Sequence, residues 1–219
     1  MILNAIMIDM DGVLVDFARP ALAAHGVALN DLSEYPFEDG WDIARACNTL
    51  RKSLGLEPIT EHQFWAKLDN EFFWANLPPC NGMYKFLDEI KTIYPRTELC
   101  ICSSAAQPGA CMGKNQWLRK FLPDYPAILT LFPLDKVTRK PGGSSPKYRT
   151  AGPATMLIDD SSKMCKTFVD AGGSCILVPR PWNQFNWPKS PYDYVLRVLK
   201  TTKNVDNYTW NLDNKDPRR

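Results

Sequence analysis

The sequence MIDMDGVLVD, at residues 7–16, is the stretch that decides the fold. An apolar run at 2–8 leads directly into two carboxylates, Asp9 and Asp11, and Gly12 then lets the chain turn sharply. This order is typical of a buried parallel strand whose carboxyl end borders a ligand site in an open α/β sheet. Two carboxylates this close are costly to bury unless a cation is shared between them, and Mg²⁺ prefers such oxygen ligands. The stretch therefore predicts a Mg²⁺ site at the end of the first strand.

Four later apolar runs indicate further buried strands, and helical patterns lie between most of them. The strand runs are 98–102, 127–131, 155–158 and 174–178, and the helical patterns are 82–93, 113–122, 161–171 and the segment that follows Ser190. Strands that alternate with helices favour parallel pairing with right-handed crossovers. We therefore predict an α/β fold with a doubly wound, parallel, five-stranded Rossmann-like core at residues 1–16 and 80–200, followed by a polar C-terminal tail at 201–219.

Residues 17–79 interrupt this alternation because they contain no convincing strand. Helices are predicted at about 42–54 and from Thr60, where Thr-x-x-Gln matches a capping box. The segment is therefore interpreted as a small helical insertion directly after the first strand. Its nine acidic and five basic residues give a net charge of −4, whereas a surface that holds a long nucleic acid needs clustered Lys and Arg. We expect no long nucleic acid as a partner.

Two more predicted strands end in polar residues. Ser103 and Ser104 follow the second strand, where a hydroxyl can bind a phosphoryl oxygen, although an ordinary serine turn explains the same residues. Asp159 and Asp160 follow the fourth strand and repeat the pattern of the first. Because adjacent side chains of a strand point in opposite directions, one aspartate can face a metal while the other orients a ligand or a lysine. Two acid-tipped strands far apart in the chain strengthen the prediction of a metal site.

The composition argues against several other classes of protein. Apolar residues make up 45% and charged residues 23% of the chain, and the net charge is +2, which are ordinary globular values. Seven cysteines without a Cys-x-x-Cys spacing and only two histidines argue against a zinc site or a Ser-His-Asp triad. The cysteine pattern favours buried thiols in a reducing compartment, so we expect a cytoplasmic protein. The sequence has no recognisable signal peptide and no apolar run of the roughly 18 residues that span a membrane, so no membrane partner is expected.

The motif Asp-x-Asp-Gly-Val-x-x-Asp at 9–16, together with the Asp-Asp strand end, resembles the haloacid dehalogenase (HAD) superfamily of phosphotransferases. The resemblance implies that Asp9 is the nucleophile and that Asp11 is the general acid and base. It also implies that Ser103 and Ser104 bind the phosphoryl group. The helical insertion would then be a cap domain, which closes over the site and selects the substrate.

The same resemblance implies a set of Mg²⁺ ligands. Asp9, the backbone carbonyl of Asp11 and Asp159 would hold the ion directly. Asp160 would support these ligands without touching the ion, or would bind the ion through a water molecule.

A lysine from the region before the fourth strand completes the site in this superfamily, because a cation must offset the charge of the phosphoryl group. Lys136, Lys140 and Lys147 are the candidates, and the spacing of Lys147 to the Asp-Asp pair is closest to that of the family. The stretch at 137–145 is interpreted as a loop insertion.

A closer resemblance is to the 5′(3′)-deoxyribonucleotidases. It is carried by DMDGVLVDF at 9–17, FWANLP at 73–78, the Leu-Ile-Asp-Asp strand end and PRPWN at 179–183. It implies a phosphatase that hydrolyses nucleoside monophosphates through an aspartyl-phosphate. Phe17 and Trp74 flank the two junctions of the insertion with the core, so we predict that they contact the nucleoside by stacking. Packing within the insertion is the alternative for its aromatic side chains.

Two other functions remain open from the sequence. One is a phosphatase of another small phosphomonoester or of a nucleic-acid end. The other is a catalytically silent relative that binds a nucleotide or a protein, although the presence of both Asp9 and Asp11 argues against it. For the predicted enzyme the partner is a small-molecule nucleotide, and both a monomer and a homodimer are compatible with the sequence.

Overall fold

A parallel sheet of five strands forms the centre of the structure, a computed structural model that describes residues 3–36, 40–131, 146–183 and 190–202. The strands are β1 (Ala5–Ile8), β2 (Glu98–Ala105), β3 (Ala127–Leu131), β4 (Thr155–Asp159) and β5 (Ser174–Leu177). Their order in the sheet is β3-β2-β1-β4-β5, so β1 is central and pairs with both β2 and β4. The direction of sheet growth reverses at β1, which makes the carboxyl ends of β1, β2 and β4 the expected place for a ligand. The predicted doubly wound parallel core is confirmed.

Eight α-helices are found in the described residues. They are α1 (Ala18–Ala23), α2 (Ile43–Ser53), α3 (Glu61–Leu68), α4 (Glu71–Ala75), α5 (Met83–Ile93), α6 (Pro108–Phe121), α7 (Ser162–Asp170) and α8 (Pro191–Thr202). Short 3₁₀ segments lie at Leu32–Glu34 and Pro146–Thr150. The first four helices belong to the predicted insertion at 17–79, and the other four belong to the core. None of these helices combines the length and hydropathy that a membrane crossing requires.

The period of two along the strands divides the apolar side chains between the two faces of the sheet. Ile6 and Ile8 of β1 belong to the larger cluster, which α5, α6 and α8 cover. Met7 belongs to a smaller cluster on the other face, which contains Phe168 of α7. Both faces are therefore buried, and this explains why the strands consist of nearly continuous apolar residues.

Several predicted helix starts are confirmed by their capping hydrogen bonds. The backbone N–H of Gln63 donates to Thr60 Oγ1 (3.1 Å), and the N–H of Thr60 donates to Gln63 Oε1 (2.8 Å), which completes the capping box of α3. Helix α7 begins after Ser161, whose side chain accepts from Met164 N (3.4 Å). The N–H of Asp193 donates to Ser190 Oγ (3.3 Å) at the start of α8.

Other boundaries differ from the sequence prediction. Helices α1 and α4 were not expected, because they have only six and five residues and show no repeat of apolar positions. Helix α6 begins at Pro108 rather than 113, since Gly109 within its first turn conceals the helical pattern. Strand β2 continues to Ala105. Helix α8 ends at Thr202, and the predicted loop at 137–145 and the rest of the predicted tail lie outside the described residues.

One pair of cysteines departs from the buried thiols that the sequence pattern favours. Cys165 of α7 and Cys175 of β5 form a disulfide, with their Cα atoms 5.3 Å apart. The turn at 171–173 brings the helix back against the next strand, so residues ten positions apart become neighbours. The other five cysteines, at positions 47, 80, 100, 102 and 111, are free.

The insertion is joined to the core by two chain segments that are hydrogen-bonded to each other. The N–H of Asp16 donates to Pro78 O (2.9 Å), and the N–H of Cys80 donates to Leu14 O (2.8 Å). The entry and exit of the insertion therefore lie side by side, directly after the first strand. This short two-stranded connection fixes where the insertion meets the carboxyl edge of the sheet.

A pair of glycines on α6 allows α4 to pack directly on the core. A Cβ atom added at Gly109 would lie 2.7 Å from Asn70 N, and one added at Gly113 would lie 2.4 Å from Glu71 O and 2.5 Å from Trp74 Cβ. All three distances are below 3.0 Å, which real Cβ atoms essentially never show. The absence of side chains at these two positions is therefore required for the contact between insertion and core.

We expect Gly113→Ala to destabilise the fold by about 1–3 kcal/mol, because the new methyl group forces α4 away from α6. This loss of unfolding free energy should appear even though alanine stabilises a helix interior by roughly 1 kcal/mol relative to glycine. Gly152→Ala is the matched control, since a Cβ there meets nothing within 4 Å. Urea unfolding of the three proteins measures the difference, and equal stability of Gly113→Ala and wild type would contradict the proposed close contact.

Candidate active site

Three buried carboxylates converge at the carboxyl ends of the two central strands. Asp9 follows β1, and Asp159 and Asp160 lie at the end of β4. One oxygen from each of them can be chosen so that all three lie within 4.8 Å of one another, and all three residues are buried. Oxygen atoms at this spacing suit a hard divalent cation. The structure thus brings together three of the residues that the sequence predicted as metal ligands.

Lys147 lies between two of these carboxylates. Its Nζ is 2.7 Å from Asp9 Oδ1 and 2.8 Å from Asp159 Oδ2. The lysine belongs to the 3₁₀ segment that precedes β4, and it is only 4% exposed. Of the three candidate lysines, Lys147 therefore reaches the carboxylate cluster, whereas Lys136 and Lys140 lie outside the described residues.

The turn after β1 requires glycine for two reasons. Gly12 has a φ of +73°, in the left-handed region that other residues rarely adopt. A Cβ at this position would lie 2.1 Å from Asp160 Oδ2. Gly12 therefore allows the first strand end to approach the Asp-Asp pair closely.

Residues of the late PRPWN stretch hold Asp160 in place. Trp182 Nε1 donates to Asp160 Oδ2 (2.8 Å), and Asn183 Nδ2 donates to the Asp160 backbone carbonyl (2.8 Å). Arg180 Nε donates to the backbone carbonyl of Gly12. The segment thus fixes both the fourth strand end and the turn after the first.

The carboxylate oxygens of the Asp-Asp pair differ in their partners. Both oxygens of Asp159 are bonded, Oδ2 to Lys147 and Oδ1 to Ser161 N (2.8 Å). Asp160 Oδ1 is buried, and within the described ranges it has no hydrogen-bond partner. A buried acceptor without a partner is costly, and a bound cation would satisfy it. The donor set therefore fits a metal ion.

Asp11 forms a second charged group with a lysine that the sequence analysis did not identify. Lys114 of α6 is 1% exposed, and its Nζ is 2.5 Å from Asp11 Oδ2. The same ammonium donates to Ser103 Oγ (3.0 Å) and to the backbone carbonyl of Ser104 (2.7 Å). One signal for it exists in the sequence: Lys114 lies on the same helical face as the apolar residues Ala110 and Trp117.

The two predicted phosphate-binding serines have different surroundings. Ser103 is fully buried and its hydroxyl points to Lys114. The hydroxyl of Ser104 is paired instead with Thr130 Oγ1 of β3 (2.7 Å). Different surroundings are expected for these two serines, because adjacent side chains of a strand point to opposite faces of the sheet. Phosphate binding by either serine stays a prediction.

The two aromatic residues that we predicted to contact the nucleoside are packed against each other. The rings of Phe17 and Trp74 are stacked with centroids 5.0 Å apart, and they are 2% and 5% exposed. Trp41, by contrast, is 38% exposed, and its ring lies 4.9 Å from that of Trp182. In this conformation Trp41 is therefore the more accessible aromatic side chain, and nucleoside contact by Phe17 and Trp74 stays a prediction.

The charges of the site are not balanced by protein groups alone. Four carboxylates (Asp9, Asp11, Asp159, Asp160) face two ammonium groups (Lys114, Lys147), and the guanidinium of Arg180 also acts on Asp160, so negative charge remains in excess. Burial and this excess of negative charge both raise the pKa values of three aspartates in the site. Burial raises the pKa of Asp159 to about 6 in spite of Lys147, and burial together with Asp159 and Asp9 raises the pKa of Asp160 well above its usual range. Desolvation also raises the pKa of Asp11, against the opposing effect of Lys114.

Lys147 responds in the opposite direction. Burial alone would lower the pKa of its ammonium, but the charges of Asp159 and Asp9 outweigh this effect and raise it above the ordinary value. Lys147 is therefore a permanent cation in the site. A divalent cation would offset the excess negative charge of the cluster.

Comparison with known proteins relates this arrangement to one fold. No family model matches the chain, and no curated protein matches it. Among solved structures, the HAD-hydrolase YfnB from Bacillus subtilis, bound to magnesium, is similar with a TM-score of 0.51 and 14% identity, over 91% of this chain and 99% of that one. A HAD-superfamily hydrolase from Ehrlichia chaffeensis is similar with a TM-score of 0.50 and 16% identity, over 93% of this chain and 100% of that one. The chain thus has the α/β Rossmann-like fold of the HAD-superfamily hydrolases, with a cluster of buried aspartates at its centre.

The raised pKa of Asp159 has a consequence for stability that depends on pH. The folded protein binds a proton on this group more tightly than the unfolded chain does, so the metal-free protein should lose stability as pH rises from about 4 to about 7. A shift from 3.8 to about 6 corresponds to at most about 3 kcal/mol. Melting temperatures measured in chelator should fall over this range for wild type and fall less steeply for Asp159→Asn, in which, of the carboxylates of the site, only Asp160 and Asp11 still contribute raised pKa values. Parallel curves for the two proteins would show that Asp159 does not titrate in this way.

Proposed function

We propose that this chain is a Mg²⁺-dependent phosphatase of nucleoside monophosphates, and that deoxyribonucleotides are its preferred substrates. The observation that carries the proposal is the position of Asp9, at the end of the central strand and in contact with Lys147 beside the Asp159–Asp160 pair. The magnesium in YfnB supports the choice of ion. The nucleotide substrate rests on the resemblance to the deoxyribonucleotidases.

Asp9, the backbone carbonyl of Asp11 and the Asp159–Asp160 pair would hold the Mg²⁺. Of the pair, Asp160 has the buried oxygen that lacks a partner in the described part of the chain, whereas Asp159 is already bonded to Lys147 and Ser161. We therefore propose Asp160 as the direct ligand, which reverses the order that the sequence suggested. When bound, the ion would neutralise phosphoryl oxygens and bring the anionic substrate to an acidic cluster.

Asp9 would act as the nucleophile. One of its carboxylate oxygens forms a bond to phosphorus, and the bond between phosphorus and the leaving oxygen breaks with its electron pair on that oxygen. Lys147 holds the Asp9 carboxylate and contributes positive charge next to the incoming phosphoryl group. The product of this step is an aspartyl-phosphate on Asp9.

Asp11 would move the protons. Its protonated carboxyl, which the raised pKa favours, gives its proton to the leaving nucleoside oxygen. In the second step Asp11 takes a proton from water as the water oxygen attacks phosphorus. The bond between phosphorus and Asp9 then breaks with its electron pair on the carboxylate, which restores both aspartates and releases phosphate.

A second substrate class has a specific observation in its favour. Phe17 and Trp74 stack on each other and are both buried in this conformation, so neither ring presents an open face to a base. A smaller phosphomonoester needs no such face. For nucleotides the support is the exposed indole of Trp41, which packs on Trp182 and so lies close to Asp160.

The test of the proposal is hydrolysis of a panel of phosphomonoesters with Mg²⁺ and with excess chelator. We expect deoxynucleoside monophosphates to have the highest kcat/KM, and we expect chelator to abolish turnover. Asp9→Asn should lower kcat by at least about a thousandfold without loss of the fold, because it removes the attacking charge and retains the shape. Wild-type rates for Asp9→Asn, or full activity in chelator, would overturn the mechanism, and preference for a small ester would favour the second substrate class.

The role of the aromatic residues is tested by truncation. Trp41→Ala should lower kcat/KM for deoxynucleoside monophosphates by roughly 5–150-fold and leave p-nitrophenyl phosphate nearly unchanged, because a stacked base contributes about 1–3 kcal/mol. Phe17→Ala and Trp74→Ala serve as comparisons. A loss for nucleotides alone would support their predicted contact with the nucleoside, and equal losses for both substrates would assign them to packing. Equal losses for Trp41→Ala would contradict its proposed role.

A further inference from the structure

We propose that Lys114 is a positioning residue for Asp11: it holds Oδ2 of the carboxyl group and thereby fixes the orientation in which Asp11 exchanges protons with the substrate. The inference rests on the proposed function, in which Asp11 is the general acid and base. It concerns a residue of α6 that lies 103 positions from Asp11 in the chain.

The placement of Lys114 is the first argument. The side chain lies on the buried face of α6 between Ala110 and Trp117, and it is 1% exposed. A buried ammonium is costly unless it is paired and hydrogen-bonded. A structural requirement for packing at this position would be met by leucine or methionine. A lysine here is therefore explained by what its ammonium group contacts.

The use of its three N–H groups is the second argument. An ammonium has three donors and no acceptor. Lys114 has three acceptors in contact, namely Asp11 Oδ2 (2.5 Å), Ser103 Oγ (3.0 Å) and the carbonyl of Ser104 (2.7 Å). Binding of a phosphoryl oxygen would require the loss of one of these contacts. The geometry thus favours an action through Asp11 over direct contact with the substrate.

The difference between the two oxygens of Asp11 is the third argument. Oδ2 is held by Lys114, whereas Oδ1 is buried and has no hydrogen-bond partner among the residues that the structure describes, so the contact with Lys114 is what holds the carboxyl group. A carboxyl group with one oxygen held by an ammonium has a defined orientation for proton transfer. Without Lys114 the group could rotate, and either oxygen would then be turned away from the leaving group for part of the time.

Lys114 is itself fixed from two sides. The carbonyl of Ser104, at the end of β2, binds it from the core. The ring of Trp74, on α4 of the insertion, lies 4.9 Å from Nζ on another side. Trp74 belongs to α4, which packs closely on α6 at Gly113, so residues of both the core and the insertion surround the ammonium group. The orientation of Asp11 therefore depends on both parts of the molecule.

Leaving groups of different acidity separate this role from the alternatives. An alkyl phosphate needs a proton on its leaving oxygen, whereas 2,4-dinitrophenyl phosphate leaves as a stable anion and needs none. Lys114→Met should lower kcat for an alkyl phosphate by about a hundredfold or more, the scale of general acid catalysis, and should affect the dinitrophenyl ester by less than about tenfold. KM should change little for either substrate. Asp11→Asn should show the same selectivity, and Lys114→Met should add little to it in the double variant.

Two further variants make the experiment decisive. Lys120→Met, on the same helix but exposed, is the matched control and should behave as wild type. Lys114→Gln retains a donor in a neutral side chain and should give an intermediate, equally selective loss, so it serves if Lys114→Met does not fold. Equal losses for both esters with an increase in KM would assign Lys114 to phosphate binding and overturn the proposal. Unchanged rates would also overturn it.

Crystal structures of wild type and the folded Lys114 variant give a readout that does not depend on activity. We expect the Asp11 carboxyl group to leave its wild-type orientation when Lys114 is replaced. An unchanged orientation would overturn the proposal even if the rates changed. If wild type hydrolyses no phosphomonoester, the proposed function fails, and the orientation of Asp11 in these structures alone decides whether Lys114 positions it.

Discussion

Repulsion between like charges is the constraint on which the rest of this structure depends. Parallel strands bring Asp9, Asp159 and Asp160 to one edge of the sheet, where burial strengthens every electrostatic interaction. Lys147 offsets part of the repulsion because its ammonium contacts two of the three carboxylates. The remaining negative charge is tolerated only with protons or a metal ion, and the raised pKa values of the Asp-Asp pair express the first of these possibilities. The same excess of charge is what makes the cluster a suitable site for a divalent cation.

The surrounding residues hold this unfavourable arrangement in place. Gly12 removes the side chain that would collide with Asp160, and Trp182 donates to the same carboxylate. Arg180 binds the carbonyl of Gly12 and so connects the late loop to the first turn. A cluster of like charges left to itself would separate, and these contacts from residues 180–183 oppose that separation. The segment after β5 is thus part of the site although it contributes none of the clustered carboxylates.

Much of the fold and part of the site could be predicted from the sequence, because both follow from local patterns. A buried parallel strand is a run of apolar residues, and Asp9 and Asp159 stand out because they directly follow such runs. Helices α1 and α4 are too short to show a helical repeat, and their position depends on contacts with distant residues such as Gly113. The pairing of Cys165 with Cys175 likewise depends on how closely α7 packs on β5. Long-range contacts of this kind leave no periodic pattern in the chain.

The role of Lys114 could not be predicted from the sequence. A lysine in a helix is usually exposed, and its position beside the apolar residues of α6 is informative only if the helix is known to begin at Pro108. Once the helix is placed, the two lysines are seen to contact three of the four carboxylates: Lys147 contacts Asp9 and Asp159, and Lys114 contacts Asp11. The division follows the chemistry proposed for each group, since the nucleophile needs nearby positive charge and the proton donor needs a fixed orientation. Asp9 and Asp11 are only two residues apart, yet their partners come from opposite sides of β1, Lys147 from the segment before β4 and Lys114 from the helix after β2. This arrangement allows two neighbouring carboxylates of the same kind to have different roles.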